Sequence, residues 1–195
     1  MRRREAFVVA GPNGAGKTTL ALEIAADLGI PYVGADDIAA RLDPVDPTRA
    51  RVSAGRQFFA EIDRLTGEGA SFVCESTLSG RGFVGVMRRL VEADYAVSVR
   101  YVFVSSTSVC LARVAERVRR GGHDVPAADI VRRFERSKQN FWRLYRPLAG
   151  AWTLDHNGAD GFQRVAAGTP EELAVYDADL FNLFHLSSST DAPTS

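Results

Sequence analysis

The sequence has few cysteines and no long apolar run, and both features exclude classes of protein. Its two cysteines, Cys74 and Cys110, lie at the ends of apolar runs, which predicts buried reduced thiols rather than a disulfide or a metal site. No apolar run approaches the roughly 20 residues of a transmembrane helix. The N-terminal Met-Arg-Arg-Arg-Glu leads directly into a predicted strand, without the apolar segment and cleavage site of a signal peptide. We therefore expect a cytoplasmic protein that does not bind a membrane.

The sequence also lacks an excess of charge of either sign. The 24 basic residues balance the 24 acidic ones, so the formal net charge is +0 at pH 7. A balanced charge provides no overall field to attract a polyanion, and we expect neither nucleic acid nor an anionic membrane as a partner. Basic residues are nevertheless concentrated between Arg113 and Arg146, which favours local contact with phosphate groups.

A glycine-rich segment at residues 11–18 fits the phosphate-binding pattern G-x-x-x-x-G-K-[ST] at every defined position. An apolar strand is predicted before it at residues 6–10, and a helix after it at residues 19–28, which is the context that the motif requires. Backbone N–H groups of such a loop surround a phosphate, and the following helix adds partial positive charge. Lys17 is expected to reach the β- and γ-phosphates of ATP, and the Thr18 hydroxyl to ligate Mg²⁺. The predicted nucleotide-binding residues are Gly11, Pro12, Asn13, Gly14, Ala15, Gly16, Lys17, Thr18 and Thr19.

Strand and helix patterns alternate along the chain, which predicts an α/β fold of the P-loop NTPase type. The expected architecture has three layers, with a mainly parallel five-stranded sheet, helices on both faces and a helical lid at about residues 113–136. One domain is expected over residues 1–186, followed by a disordered tail at 187–195. A helix is predicted from Pro126 to about Tyr145. The last strand of the sheet is predicted at residues 152–155, with a small edge strand at 161–165 and a final helix from Pro170 to about Phe184.

Acidic residues follow two of the predicted strands, at the sheet edge where ligands gather in this fold class. Asp36 and Asp37 follow the second strand, and Glu75 ends the third. One of the two aspartates is expected to cap the helix that starts near Ile38, and the other to accept a proton or to hold Mg²⁺ through water. No apolar run ends in Asp-Glu, the pattern of motor ATPases, and this absence favours a small-molecule kinase.

The segment from Arg113 to Pro126 is typical of a mobile lid, because two predicted helices meet at Gly121-Gly122. Arginines on such a lid can donate paired hydrogen bonds to phosphate oxygens and neutralise charge in the transition state. Arg117 is the first candidate for this contact, followed by Arg120 and Arg133.

Four segments resemble the zeta-toxin-like family of P-loop kinases, in a compact form. They are the loop at residues 11–19, Ala-Asp-Asp-Ile-Ala at 35–39, Glu-Ser-Thr-Leu-Ser-Gly at 75–80, and the run from Arg117 to Pro126 that continues to Arg133. The resemblance covers roughly residues 5 to 160 and implies a kinase that uses ATP and Mg²⁺. The best-known zeta toxins phosphorylate a sugar hydroxyl of UDP-N-acetylglucosamine and are held inactive by an antitoxin protein.

The resemblance also implies roles for individual residues. Asp36 matches the base that activates the acceptor hydroxyl, Glu75 and Thr77 match acceptor-binding residues, and Arg117 matches a lid arginine. Asp37 and Arg133 complete the predicted substrate-binding set. The chain departs from the family pattern at Ser79, where a basic residue is usual, at Ala35, where asparagine is usual, and at His156, which replaces an aspartate.

Two other functions are compatible with the same motifs. One is a different small-molecule kinase, acting on a nucleoside, a shikimate-like compound or an antibiotic. The other is a nucleotide-dependent switch that changes shape without phosphorylating an acceptor.

Overall fold

The computed structural model describes residues 4–122 and 124–186, in which seven strands and seven α-helices are formed. The strands are β1 (Glu5–Ala10), β2 (Tyr32–Val33), β3 (Phe72–Ser76), β4 (Ala96–Phe103), β5 (Ala151–Gly158), β6 (Gly161–Gly168) and β7 (Leu173–Val175). The helices are α1 (Lys17–Leu28), α2 (Ala35–Leu42), α3 (Arg51–Gly67), α4 (Gly82–Glu92), α5 (Thr107–Arg119), α6 (Ala127–Asn140) and α7 (Ala178–Leu186). The tail predicted to be disordered, residues 187–195, lies outside the described residues.

The strands form one sheet in the order β2-β3-β1-β4-β5-β6-β7. The first five strands are mutually parallel, as predicted, while β6 and β7 add an antiparallel extension beyond β5. The chain passes to one side of β1 for β2 and β3 and to the other side for β4. This reversal opens a crevice at the carboxyl ends of β1 and β3, where ligands bind in this fold class.

Apolar side chains cover both faces of the parallel part of the sheet, which explains why its strands are nearly continuous apolar runs. One face packs against α3, α4 and the segment after α6, with Tyr101, Phe141 and Trp152 fully buried. The other face packs against α1, α5 and α6 around Val9, Val102 and Phe134. Both cysteines are buried free thiols, as the sequence predicts. Among the described residues, the helices are too short or too polar to cross a membrane.

The C-terminal region differs from the prediction of one helix between Pro170 and Phe184. Residues 173–175 form β7, which pairs with β6, and the helix begins only at Ala178. The Asp177 carboxylate accepts a hydrogen bond from the Leu180 N–H at 2.9 Å and so caps that helix. Pairing with the free edge of β6 therefore prevails over the local helical preference of this segment.

Two helix boundaries also differ from the predictions. Helix α2 starts at Ala35 with Gly34 at its N-cap, so Asp36 and Asp37 lie in the first turn and neither caps it. Their charges still favour this position because they face the positive end of the helix dipole. The helix expected to continue from Pro126 to Tyr145 ends at Asn140 and is followed by a π-helical turn over Phe141–Tyr145.

The first glycine of the loop leaves no room for a side chain. Gly11 has a φ of 143°, and a Cβ placed there would lie 2.1 Å from the Val102 carbonyl oxygen.

We expect Gly11→Ala to lower the free energy of unfolding by about 2–5 kcal/mol, through backbone strain and overpacking. Thermal unfolding measures the change. Gly55→Ala is the matched control, since a Cβ added at Gly55, within α3, would have no atom within 4 Å; it should be neutral or raise stability by up to about 1 kcal/mol. Equal stability of the two variants would contradict the prediction.

Candidate active site

The glycine-rich loop connects β1 to α1 and forms a cradle at the carboxyl edge of the sheet. Gly14 and Gly16 have positive φ values, 80° and 94°, and a hydrogen bond from the Ala15 N–H to the Pro12 carbonyl closes a turn at 3.2 Å. Because α1 begins at Lys17 with no side-chain cap, its first N–H groups are available to an anion. The predicted loop residues are thus assembled in a geometry suited to phosphate.

Lys17 is buried within this cradle. Its ammonium group donates a hydrogen bond to the Pro12 carbonyl at 3.0 Å, and only 9% of the residue is exposed. Burial lowers the pKa of Lys17, while the carboxylates of Glu75 and Asp36 act in the opposite direction. A triphosphate in the cradle would add negative charge beside the ammonium and favour its charged form.

Two residues that the sequence reasoning did not select as site residues support the cradle. The Asn157 amide donates to the Ala15 carbonyl at 2.9 Å. The Arg113 guanidinium donates to the carbonyls of Asn157 and Gly158 at 3.1 and 3.3 Å, and it also lines the cradle. A sequence signal for Arg113 exists, because it precedes Arg117 by four residues and so shares its helix face.

Glu75 is the most enclosed carboxylate of the site. It is 8% exposed, and one of its oxygens, Oε2, is buried without a hydrogen-bond partner. Burial raises the pKa of Glu75, as do the nearby Asp36 and Asp37, while Lys17 and a hydrogen bond with Thr18 lower it. An unpartnered carboxylate oxygen beside the Thr18 hydroxyl is a suitable donor set for Mg²⁺, directly or through water.

The donors fit Mg²⁺ only together with other ligands. Within residues 4–122 and 124–186, no three His, Cys, Asp or Glu side chains lie close enough together to hold a metal ion. Mg²⁺ commonly keeps several waters and binds through one or two protein oxygens plus substrate phosphates, which matches this arrangement.

Two adjoining cavities meet at these residues. The nucleotide cradle has a volume of about 210 Å³ and is lined by Asn13, Gly14, Gly16, Lys17, Thr18, Thr19, Asp36, Glu75, Arg113 and Arg117. A second cavity of about 620 Å³, which we call the acceptor cleft, is lined by Thr18, Asp36, Asp37, Ala40, Pro44, Val45, Pro47, Thr48, Glu75, Arg117, Gly121, Gly122 and Asp124. Four residues border both cavities: Thr18, Asp36, Glu75 and Arg117. Asp37 borders only the acceptor cleft.

Six of the residues predicted from sequence are not among the lining residues of either cavity: Gly11, Pro12 and Ala15 of the loop itself, and Thr77, Arg120 and Arg133. Arg120 is largely exposed and pairs with Glu116 at 2.7 Å, and Arg133 pairs with Asp129 at 3.0 Å. The Thr77 hydroxyl is hydrogen-bonded to Ser79 at 2.9 Å, and its carbonyl accepts a hydrogen bond from Ser137. A role for the two arginines therefore requires that these ion pairs rearrange.

The raised pKa of Glu75 leads to a testable effect of pH on stability. A carboxyl group whose pKa is higher in the folded state stabilises the fold fully below its unfolded pKa, and this contribution is lost as the pH rises through the folded pKa. Glutamine carries no charge to desolvate, so we expect Glu75→Gln to melt above the wild type at pH 7, by a margin that shrinks toward pH 4. Calorimetry of both proteins between these limits measures the margin. Glu23→Gln, on the exposed surface of α1, is the control, and a margin that does not vary with pH would refute the account of Glu75.

Comparison with known proteins agrees with this geometry. A family model described as an AAA domain matches residues 7–142, a range that includes the loop, Asp36, Glu75 and Arg117. A curated, uncharacterized protein of Haemophilus influenzae is 32% identical over 136 residues, which are 67% of this chain and 91% of that protein. The family match therefore covers the residues that border both cavities.

Solved structures share the fold at low sequence identity. A chain of the AvrRxo1-ORF1:-ORF2 complex with ATP is similar with a TM-score of 0.76 and 18% identity, over 99% of this chain and 66% of that chain. A structure from the PezAT toxin–antitoxin system of Streptococcus pneumoniae is similar with a TM-score of 0.66 and 15% identity, over 95% and 80% of the two chains. This chain thus spans just under two thirds of the length of the AvrRxo1 chain. By its family match and its phosphate-binding loop, the protein belongs to the AAA domain family of P-loop proteins.

Proposed function

We propose that this protein is an ATP- and Mg²⁺-dependent kinase that transfers the γ-phosphoryl group to a hydroxyl of a small molecule. The observation that carries the proposal is the shared border of the two cavities. Asp36 and Glu75 stand between a phosphate cradle and a cleft of about 620 Å³, a size suited to a small organic ligand. A nucleotide-dependent switch needs the cradle but has no need of a carboxylate-lined cleft beside it.

Different residues of the cradle bind the phosphates and stabilise the charge of the transition state. Backbone N–H groups of the loop bind the phosphates, and Lys17 leaves the Pro12 carbonyl to contact the β- and γ-phosphates. Thr18 would hold Mg²⁺, with Glu75 Oε2 as a further oxygen ligand, directly or through water. Bound Mg²⁺ supplies positive charge against the phosphate oxygens. Arg117 and Arg113 stabilise the charge that spreads over the transferred group.

Asp36 acts as the general base of the transfer. It takes the proton of the acceptor hydroxyl as the oxygen forms a bond to the γ-phosphorus, and the bond from that phosphorus to the β,γ-bridging oxygen breaks. The products are the phosphorylated acceptor and ADP, and the proton leaves Asp36 to solvent. Its position in the first turn of α2, on the border of both cavities, suits this role better than that of Asp37.

The segment between α5 and α6 serves as a lid over the reaction. Gly121, Gly122 and Asp124 line the acceptor cleft, and Gly121 has a φ of 83°, a conformation that suits a glycine hinge. Closure would exclude water and limit hydrolysis of ATP. In the closed state, Arg120 and Arg133 contact substrate oxygens if their ion pairs with Glu116 and Asp129 break.

The acceptor and any protein partner are further parts of the proposal. From the resemblance to zeta toxins, UDP-N-acetylglucosamine or another sugar nucleotide is one acceptor to test, with Thr77 as a contact after lid closure; the carboxylates that line the acceptor cleft oppose an anionic acceptor of this kind. The resemblance also supports an antitoxin-type partner, as do the two-component AvrRxo1-ORF1:-ORF2 structure and the toxin–antitoxin system to which the PezAT structure belongs. We place the reaction in the cytoplasm, where ATP is available.

Phosphorus NMR with ATP, Mg²⁺ and a panel of hydroxyl compounds tests the proposal. We expect a new phosphoester signal together with ADP, and its absence with the Asp36→Asn variant. Production of inorganic phosphate alone with every acceptor would favour the nucleotide switch.

A further inference from the structure

The acceptor cleft carries an excess of negative charge. Its lining includes four carboxylates, those of Asp36, Asp37, Glu75 and Asp124, against the single guanidinium of Arg117. This count covers the residues that the structure describes. The remaining lining residues are uncharged, and three of them are proline or valine from the segment between α2 and α3. The imbalance is a local one, since the whole chain has no net charge.

A second observation indicates that the cleft takes a ligand with a hydrogen-bond donor or a positive charge. Glu75 is more than nine-tenths buried, and its Oε2 atom lacks a partner among the described residues where it borders the cleft. Such an atom requires a donor or a cation from a ligand.

Binding of ATP and Mg²⁺ would leave two carboxylates of the cleft without a cation. In the proposed function, Mg²⁺ would offset the charge of Glu75. Arg117 and Lys17 turn to the triphosphate, and Asp36 faces the reacting hydroxyl. Asp37 and Asp124 then remain in the lining of the cleft, one on α2 and the other on the lid. Arg51 lies close to the lid, where its guanidinium donates to the Asp124 backbone carbonyl at 3.2 Å, but it is not part of the lining.

We propose that the acceptor is a hydroxyl compound that carries positive charge, such as an amino sugar, an aminocyclitol or an amino alcohol, rather than a phosphorylated or nucleotide-linked sugar. This inference rests on the proposed kinase function and names the substrate class of the same site. An ammonium group between Asp37 and Asp124 would gain two charge-assisted hydrogen bonds and would orient the hydroxyl toward Asp36. A diphosphate in the same position would face carboxylates of like charge, which opposes binding.

The test separates acceptors by charge without requiring that the natural one is known. A dialysable extract of bacterial cells is divided by ion exchange at pH 7 into cationic, neutral and anionic fractions. Each fraction is incubated with the whole protein, Mg²⁺ and ATP labelled in the γ-phosphoryl group, and label in organic phosphate is measured. Glucosamine, glucose, glucose 6-phosphate and UDP-N-acetylglucosamine are added separately as defined acceptors.

We expect labelled product from the cationic fraction. For the acceptor in that fraction, Asp124→Asn should lower kcat/KM about tenfold, a change that corresponds to about 1.4 kcal/mol. Asp63→Asn on the exposed surface of α3 is the control and should change it less than about twofold. Product mainly from the neutral or anionic fraction, or an equal effect of both substitutions, would overturn the inference while the kinase function stands. Absence of labelled organic phosphate from the unfractionated extract would instead overturn the proposed function itself.

Discussion

Replacement of Asp36 by asparagine is expected to lower kcat by about 10²–10⁴-fold while the Kd for ATP stays within about threefold of the wild type, since general-base catalysis contributes this much. Asp36 borders both cavities, so its carboxylate can reach the acceptor hydroxyl beside the γ-phosphate. Asparagine keeps the shape of the side chain but cannot take the proton. Single-turnover transfer measures the chemical step, and isothermal calorimetry measures ATP binding.

The adjacent aspartate provides a matched control for this variant. Asp37 lies in the same first turn of α2 and borders only the acceptor cleft. We therefore expect Asp37→Asn to raise KM for the acceptor and to lower kcat much less than Asp36→Asn does. The reverse order of the two effects on kcat would assign the base to Asp37 and would contradict the mechanism as written.

Replacement of Lys17 by methionine is expected to lower kcat by about 10²–10³-fold, the usual loss when one preorganised donor to the transition state is removed. ATP binding should weaken as well, because the ammonium group contacts phosphate in the ground state too. The same change should raise the melting temperature of the ATP-free protein, since burial lowers the pKa of Lys17 and so disfavours its charged form. Steady-state kinetics and calorimetry without nucleotide measure the two effects.

Lys17→Arg distinguishes charge from geometry at this position. Arginine keeps the positive charge, but its planar guanidinium cannot replace an ammonium point charge in a cradle of about 210 Å³. We expect its kcat to remain close to that of Lys17→Met. Recovery of kcat to within about tenfold of the wild type would mean that positive charge alone suffices and that the fitted position of the ammonium does not matter.

The loop and the parallel sheet could be predicted from the sequence because their signals are local. The pattern at residues 11–18 specifies a strand, a turn and a helix in succession, and the apolar runs of β1, β3 and β4 are typical of strands buried on both faces. The approach of Asp36 and Glu75 to the loop follows from the rule that ligands gather at the carboxyl ends of the strands.

Other parts of the site depend on contacts between distant segments and could not be predicted in this way. The bond from Asn157 to the Ala15 carbonyl joins residues that are 142 positions apart. Asp124 belongs to the acceptor cleft only because the lid faces the segment between α2 and α3. The strand β7 is likewise stabilised by pairing with the open edge of β6, and no local pattern near Leu173 predicts this pairing.

The central claim, that the γ-phosphoryl group passes to an organic acceptor, is tested most directly by following that group. The purified protein is incubated with Mg²⁺ and γ-labelled ATP, with and without a dialysable bacterial extract, and label is measured in inorganic and organic phosphate. The kinase account predicts label in organic phosphate that requires both the extract and Asp36. Label in inorganic phosphate alone, at the same rate with and without the extract, would contradict it.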